Sequence, residues 1–240
     1  MAVLDMHDER AIHARDLALL GGCVRYFKRE LPPNPVTAFR PSLRRSWLTS
    51  QLTKLQPISL GLPADVIREA PAVVPEKSTD VFFAGSLEHA PAVRGAGVAQ
   101  LESLASAGVR VDIARERLCR AAFLERCARA RLVWSPEGLG WDCFRHYEAA
   151  LCGSVPLMNL PTIRRHAPLL DGEHGIYYGV ENDGLIRAVT SALRDPRRLD
   201  AMGLSARAHV LRHHTHAALC EYITRECLPG WRADRQGALV

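Results

Sequence analysis

Two features of the sequence predict an α/β fold built on a Rossmann-like parallel sheet flanked by helices. From Thr79 onward, short apolar segments without an alternating polar pattern alternate along the chain with helical segments of about 10 to 15 residues. A Pro/Gly turn at positions 136–140 also stands between an apolar segment and a helical one. Such strand–turn–helix units form parallel sheets through right-handed crossovers and bind ligands at the carboxyl ends of the strands.

The elements follow each other regularly after the first third of the chain. Apolar segments predict strands at DVFFAG (80–85), VRVDIA (109–114), RLVWS (131–135), SVPLM (154–158) and GIYY (175–178). Helical periodicity predicts helices at 92–108, 118–130, 142–152, 185–195, 197–214 and 215–227. Residues 78–230 therefore form the predicted domain, and 231–240 form a tail.

The segment before this domain has a different character. Short apolar segments in residues 1–77 are separated by proline-rich stretches, of which LPPNPVTAFRP is the densest. Proline removes a backbone donor and fixes φ, so it interrupts regular structure. Residues 1–77 are predicted to be connecting structure and linker with little core of their own.

Composition narrows the class of protein. The net charge of +5 is far below that of a dedicated nucleic-acid binder, so no nucleic-acid partner is expected. The seven cysteines form no CxxC pair, which favours reduced thiols and a cytoplasmic protein; attachment to the inner face of the membrane is the alternative location. No apolar segment approaches the roughly 18 residues of a transmembrane span.

The segment 131–158 carries the clearest functional signal. A glycine turn before a helix N-terminus offers free N–H groups and a positive dipole end to a phosphate. In the helix, Phe144, Tyr147 and Leu151 are expected to face the sheet, and Arg145 and Glu148 lie one turn apart. A surface ion pair between those two is one interpretation. A cation in the first turn opposes the helix dipole, however, which favours a bound anion.

SPEGLGWDCFRHYEAALCGSVPLM resembles the sugar-nucleotide signature of GT-B glycosyltransferases of the group 1 type, with its glycine turn, R-x-x-E-A helix and G-x-V-P ending. VFFAGSL resembles the first strand and loop of the C-terminal GT-B domain, and HGIYYGVENDGLIRAVTSALRDPRRLDAMGLSARAHV resembles its ending. The resemblance covers residues 79–228 and implies that this domain is the C-terminal, nucleotide-sugar-binding domain. Residues 1–77 would then be the remnant of an N-terminal domain plus a linker.

The resemblance also implies roles for individual residues. Glu148 would hold the ribose hydroxyls, and Arg145 would neutralise phosphate charge. The turn Glu137-Gly138-Leu139-Gly140 would approach the sugar-phosphate through its backbone. The retaining signature has two glutamates separated by seven residues, whereas ten separate Glu137 and Glu148, so a contact from Glu137 to the donor sugar stays open.

Other residues near the predicted strand ends extend this site. Gly85 ends a strand and would leave space for the ligand, whereas His89 is interpreted as a loop histidine without a role. Arg115 and Arg120 are the basic residues that could reach a diphosphate leaving group. His213, His214 and His216 are interpreted as a basic surface cluster rather than a metal site.

The predicted function is that of a hexosyl-type glycosyltransferase, or its donor-binding half, that uses a nucleotide-activated sugar on an unknown acceptor. No cofactor or metal is expected, and the sequence identifies no catalytic residue. A partner chain would supply the acceptor domain. One alternative is a non-catalytic nucleotide-sugar-binding or interaction module, and another is a different Rossmann-type nucleotide protein.

Overall fold

The computed structural model describes residues 1–39, 45–88 and 90–228. His89 and the predicted tail at 231–240 lie outside the described residues. The chain begins with a three-stranded parallel sheet in the order β1-β2-β3, made of Ala2–Asp5, Arg25–Lys28 and Leu55–Pro57. Three helices accompany these strands, namely α1 (Leu17–Gly22), α2 (Arg45–Leu52) and α3 (Ala64–Glu69).

The first sheet has more structure and more core than its proline-broken sequence predicts. A buried apolar cluster packs against it, with Leu20, Tyr26 and Leu31 at most 1% exposed. Among the described prolines of residues 1–77, Pro57 lies at the end of β3 and the others lie outside the pairing strands. Proline is tolerated at such edge positions because no ladder hydrogen bond is lost there. The prediction of little core in residues 1–77 is therefore wrong.

The second sheet confirms the predicted α/β architecture. It contains five parallel strands in the order β5-β4-β6-β7-β8. Their bounds are β4 Thr79–Phe83, β5 Val111–Ile113, β6 Ala130–Trp134, β7 Val155–Asn159 and β8 Ile176–Tyr178. The helices are α4 Pro91–Ser106, α5 Arg120–Arg129, α6 Phe144–Leu151, α7 Gly184–Ala192, α8 Pro196–His213 and α9 His216–Cys227.

Both faces of the second sheet are covered, which explains the absence of polar alternation in its strands. Phe82 belongs to one apolar cluster, whereas its neighbours Val81 and Phe83 belong to the cluster on the opposite face. The same alternation places Val133 on one face and Leu132 on the other. Side chains that alternate between two helical layers can all be apolar.

The last helix joins the two sheets. After α8, the chain makes an isolated parallel bridge between Leu62 and Thr215, and α9 packs its Leu219 and Tyr222 against Phe27 and Ile58 of the first sheet region. The carboxyl ends of both sheets thereby come to face a common cleft. No helix in the described part of the chain is long and apolar enough to cross a membrane.

Candidate functional site

The candidate site is a cleft of about 790 Å³ between the carboxyl ends of the two sheets. Residues that follow each strand from β1 to β6 line it: Asp8, Arg29, Leu60, Ala84, Leu118 and Gly138. The first turn of α6 and Glu148 complete the wall. The carboxyl ends of parallel strands are the expected place for a ligand in such folds.

Arg145 occupies the first turn of α6 and lies partly buried in this wall. Its guanidinium carbon stands 5.3 Å from the centre of the Phe83 ring. Its Nη1 is buried and has no hydrogen-bond partner in the described part of the structure. Burial lowers the pKa of Arg145 from its usual value, because few carboxylates offset the loss of water. A buried guanidinium nitrogen without a partner requires an explanation, and an anion in the cleft would supply a partner.

Glu148 lies one turn further along α6 and lines the same cleft. The surface ion pair that the sequence suggests as an alternative is not formed, since no salt bridge or hydrogen bond joins Glu148 to Arg145 within the described ranges. Burial raises the pKa of Glu148, although the charge of Arg145 acts to lower it. The carboxylate is thus placed beside a cation but remains available to a ligand.

The glycine turn after β6 is packed by charged side chains. A Cβ on Gly138 would lie 2.9 Å from Nη2 of Arg94, and one on Gly140 would lie 2.5 Å from Oε1 of Glu30. The sequence predicts that these glycines clear space for a ligand, but the structure fills the space at Gly140 with a carboxylate from the first sheet. Leu139, at the tip of the turn, is 67% exposed.

Glu137 is held by the neighbouring strand. Its backbone N–H donates to Oδ1 of Asn159 at 2.8 Å, and Nδ2 of Asn159 donates to its Oε2 at 3.3 Å. Asn159 ends β7, so the two amide contacts orient Glu137 along the carboxyl edge of the sheet.

Arg94 is a structural member of the site that the sequence analysis does not single out. It is 4% exposed, and its Nε donates to the carbonyl of Glu137 at 2.9 Å while its Nη1 donates to the carbonyl of Ser86 at 2.6 Å. One guanidinium therefore ties the β4–α4 loop to the β6–α6 turn. The sequence signal that could have revealed Arg94 is the same one that singles out Arg145, namely a cation within the first turn of a helix.

Gly85 is adjacent to Arg145 rather than to open space. A Cβ at this position would lie 2.5 Å from Nη2 of Arg145. The missing side chain thus leaves room for the guanidinium, which modifies the predicted reason for a glycine at the end of β4.

The two arginines predicted to reach a diphosphate differ in position. Arg120 lines the cleft, but its Nε donates to Glu69 at 2.6 Å and its Nη1 donates to Asp65 at 2.8 Å. The hydrogen bond to Glu69 raises the pKa of Arg120. Arg115 donates to Glu102 at 2.5 Å and is not among the residues that line the cleft. Arg117, between them, lines the cleft and forms no salt bridge within the described ranges.

Helix α6 departs in one respect from its predicted orientation. Tyr147 and Leu151 are buried as expected, but Phe144 is 47% exposed because it is the first residue of the helix and borders the cleft. The buried side chain that sequence reasoning missed is His146, whose Nε2 donates to the carbonyl of Trp141 at 2.9 Å. Its Nδ1 then accepts from the Ser135 hydroxyl at 2.7 Å, and burial lowers the pKa of His146 to about 3.

Asp142 is a second buried polar residue that the sequence did not reveal. Its carboxylate accepts the Leu60 N–H at 2.9 Å and the Tyr147 hydroxyl. Burial raises the pKa of Asp142 to about 6, although both hydrogen bonds act to lower it. It links the segment after β3 to the N-terminus of α6.

Of the three histidines that the sequence predicts to form a surface cluster near the end of α8, His214 is buried, whereas His213 is partly exposed and His216 is exposed. His214 is 1% exposed, with Nε2 donating to the carbonyl of Ala167 at 2.8 Å. In the described part of the chain, no group of three or more His, Cys, Asp or Glu side chains is arranged to hold a metal ion.

Several solved structures share this architecture. A sucrose-phosphate synthase from Thermosynechococcus elongatus matches over 92% of this chain and 66% of its own, with a TM-score of 0.61 and 12% identity. A glycosyltransferase from Rickettsia africae ESF-5 matches over 94% of this chain and 70% of its own, with a TM-score of 0.58 and 8% identity. Anabaena Alr3699/HepE in complex with UDP matches over 93% and 70%, with a TM-score of 0.57 and 13% identity.

No protein-family model matches the sequence. No curated protein matches it either. The chain spans between 66% and 70% of the lengths of the three solved proteins, and identities of 8 to 13% bear on the fold alone. The strand order, the cleft between two parallel sheets and these similarities together confirm the predicted resemblance at the level of architecture: the chain has the fold of GT-B glycosyltransferases.

Proposed function

We propose that the cleft binds a nucleotide-activated sugar, and that the chain is a hexosyl-type glycosyltransferase or the donor-binding half of one. The observation that carries the proposal is the pair formed by Arg145, whose buried Nη1 has no partner among the described residues, and Glu148, whose carboxylate is likewise unpaired there. A cation and a free carboxylate one helical turn apart match the two ends of a nucleoside diphosphate, which offers phosphate charge and a vicinal diol.

Each residue has a defined task in this proposal. The positive end of α6, Arg145 and Arg117 stabilise the phosphate charge that grows as the sugar–phosphate bond breaks. Glu148 accepts hydrogen bonds from the two ribose hydroxyls. Among the solved structures of the same fold, Anabaena Alr3699/HepE is described in complex with UDP and with UDP-glucose, which supports the choice of ligand class.

The organisation of the chain follows from the same proposal. Residues 78–230 would be the nucleotide-sugar-binding domain, and residues 1–77 the remaining part of an acceptor-side domain with its linker. The seven cysteines, unpaired in the described part of the chain, favour a reducing compartment, so we place the protein in the cytoplasm.

Calorimetric titration with a panel of UDP-, GDP- and ADP-sugars tests the proposal. We expect one nucleotide to bind and Glu148→Gln to weaken its binding by about tenfold or more, since a charged acceptor contributes about 1.5–3 kcal/mol. Glu125→Gln is the matched control, because Glu125 lies on α5 in an exposed contact with Arg129. Absence of binding by the folded protein to every member of the panel would contradict the proposal.

A donor-binding module without transfer activity is the second candidate. The observation that favours it is the first sheet, which has three strands in the described part of the chain and leaves limited surface for an acceptor. Incubation with radiolabelled donor and cell extract separates the two candidates. Sustained formation of labelled product by the isolated chain excludes the module, whereas donor binding without product favours it.

A further inference from the structure

Glu30 reaches from the first sheet into the turn that precedes α6. It lies two residues after the end of β2 and is 1% exposed. Its Oε2 accepts the backbone N–H of Trp141 at 3.0 Å, and its Oε1 accepts that of Asp142 at 2.9 Å. More than a hundred residues separate the carboxylate from the turn that it holds, so this contact joins the two sheets across the cleft.

The turn is shaped to receive this carboxylate. A Cβ on Gly140 would lie 2.5 Å from Oε1 and 2.6 Å from Cδ of Glu30, which is closer than side-chain contacts allow. Two successive backbone N–H groups pointing at one carboxylate form an anion-binding concavity. The protein therefore fills one anion site of its glycine turn with its own side chain.

Neighbouring contacts hold Glu30 in place. Arg29 Nε stands 3.9 Å from Glu30 Oε1, and the Arg164 N–H donates to the carbonyl of Leu31 at 2.7 Å. Arg164 Nε also donates to the carbonyl of Pro33 at 2.9 Å. The segment 29–33 is thus attached to the β6–α6 turn on one side and to the segment after β7 on the other.

The hydrogen bonds to Glu30 determine which backbone N–H groups remain for a ligand. The amides of Trp141 and Asp142 are engaged by Glu30, whereas those of Phe144 and Arg145 open α6 and have no intrahelical acceptor. With the turn in this shape, the Arg145 guanidinium also stands at the wall of the cleft. An anion in the cleft would use these groups at the start of α6 rather than the centre of the glycine turn.

We propose that Glu30 is the positioning residue of the donor site: its carboxylate fixes the β6–α6 turn, and thereby couples the placement of the first sheet to nucleotide-sugar binding. The second half of this inference rests on the proposed function. The first half concerns the turn itself and is measured without any ligand.

Hydrogen exchange of the full chain, read by mass spectrometry, tests the hold on the turn. Glu30→Gln keeps the shape of the side chain but replaces one acceptor oxygen with an NH₂ group that faces an N–H donor. We expect amides of residues 138–143 to exchange about tenfold faster in Glu30→Gln, because a hydrogen bond to a charged acceptor is lost. Gly140→Ala should act on the same amides, since its Cβ displaces the carboxylate.

Gly95→Ala is the matched glycine control, as no atom lies within 4 Å of a Cβ at that position. It should leave the exchange of residues 138–143 unchanged. Equal exchange of the turn in Glu30→Gln, Gly140→Ala and wild type would overturn the proposal.

Donor affinity tests the coupling and distinguishes positioning from general stability. We expect Glu30→Gln and Gly140→Ala each to raise the Kd of the nucleotide sugar by about tenfold. The double variant should bind no more weakly than either single variant, because both changes break the same interaction. Unchanged or fully additive Kd values would overturn the coupling. If Glu30→Gln exchanges the turn faster but wild type binds no nucleotide sugar, the proposed function is refuted and the hold of Glu30 on the turn is supported.

Discussion

Gly85 and Arg145 fit together: the space where residue 85 lacks a Cβ is filled by the guanidinium of Arg145, 2.5 Å from where that atom would stand. Gly85 lies two residues after β4 and Arg145 lies in the first turn of α6, so the fit sets the position of the cation relative to the sheet edge. The Phe83 ring supports the same guanidinium from the side.

Gly85→Ala should therefore displace Arg145 and weaken donor binding. We expect the Kd of the bound nucleotide sugar to rise about tenfold, equivalent to about 1.4 kcal/mol, with a smaller change in melting temperature than a core substitution causes. Titration calorimetry and thermal unfolding measure the two quantities. Gly21→Ala is the control, because a Cβ there meets no atom within 4 Å. Equal affinities for Gly85→Ala and Gly21→Ala would show that the position of Arg145 is unimportant for the ligand.

Arg117 and Arg120 provide a second comparison within the cleft. Arg120 is engaged by Glu69 and Asp65, so its charge is already balanced and its main role is to join α5 to α3. Arg117 lines the same cleft and forms no salt bridge within the described ranges. Arg117→Ala should reduce donor affinity several-fold in low salt, and the reduction should shrink as added salt screens the charge.

Arg120→Ala serves as the contrasting variant. It should leave the affinity close to that of wild type, because Arg120 is already bound by two carboxylates and is not free to bind a diphosphate. The salt dependence of Kd for both variants provides the measurement. A larger loss for Arg120→Ala than for Arg117→Ala would reverse this assignment and restore the role that the sequence predicts for Arg120.

The second sheet was predictable because its strands are apolar on both faces and are punctuated by glycine and proline. Segments such as VFF and RLVW need no partner to be recognised as buried strands. The first sheet was not predictable in this way. Its strand β2 carries Lys28, which is 0% exposed only because its Nζ donates to Asp5 at 2.9 Å. A local pattern does not reveal that a charged residue is buried when its partner lies on another strand.

The residues of the candidate site also fall into two groups, those that the sequence indicates and those that only the folded structure reveals. Arg145 could be singled out as a candidate from the sequence, because a cation in the first turn of a helix conflicts with the helix dipole unless an anion is present. Glu148 is singled out by the resemblance of its R-x-x-E helix to the sugar-nucleotide signature. The roles of Gly138 and Gly140 could not be found, since Arg94 and Glu30 reach them from distant segments. Sequence spacing shows that a glycine is present, but only tertiary packing shows which side chain needs the space.

Gly95 and Gly97 differ although they lie two residues apart on α4. A Cβ on Gly97 would lie 2.1 Å from Cζ2 of Trp134, whereas one on Gly95 would meet no atom within 4 Å. Gly97→Ala should therefore destabilise the fold by about 1–3 kcal/mol through overpacking. Gly95→Ala should stabilise it by about 0.5–1 kcal/mol, because alanine loses less backbone entropy in a helix. Urea denaturation of both variants measures the difference, and equal stabilities would contradict the close packing of α4 on Trp134.

His214 should make stability depend on pH. Its Nε2 donates to Ala167, so its Nδ1 accepts the Ser59 hydroxyl at 2.9 Å, and this arrangement requires the neutral ring. Burial lowers the pKa of His214 from 6.5 to about 3. Between those values the unfolded chain binds a proton that the folded protein does not. The contribution of His214 is therefore complete above pH 6.5 and is lost as the pH falls towards 3, by at most about 1.4 kcal/mol per pH unit.

His214→Asn should remove the part of this dependence that His214 contributes, whereas His216→Asn, at an exposed position, should retain it. Asp142 has the opposite sign, because burial raises its pKa from 3.8 to about 6 and the folded protein then holds the extra proton within that range. Buried His146, whose pKa is also lowered to about 3, acts in the same direction as His214, and Asp142 partly offsets both below pH 6. The difference in unfolding free energy between wild type and His214→Asn cancels the contributions of Asp142 and His146, since both proteins contain these residues. Denaturant titrations from pH 7 to pH 4 should show this difference shrinking with falling pH. A constant difference would show that His214 takes up its proton equally in the folded and the unfolded protein, which contradicts the lowered pKa.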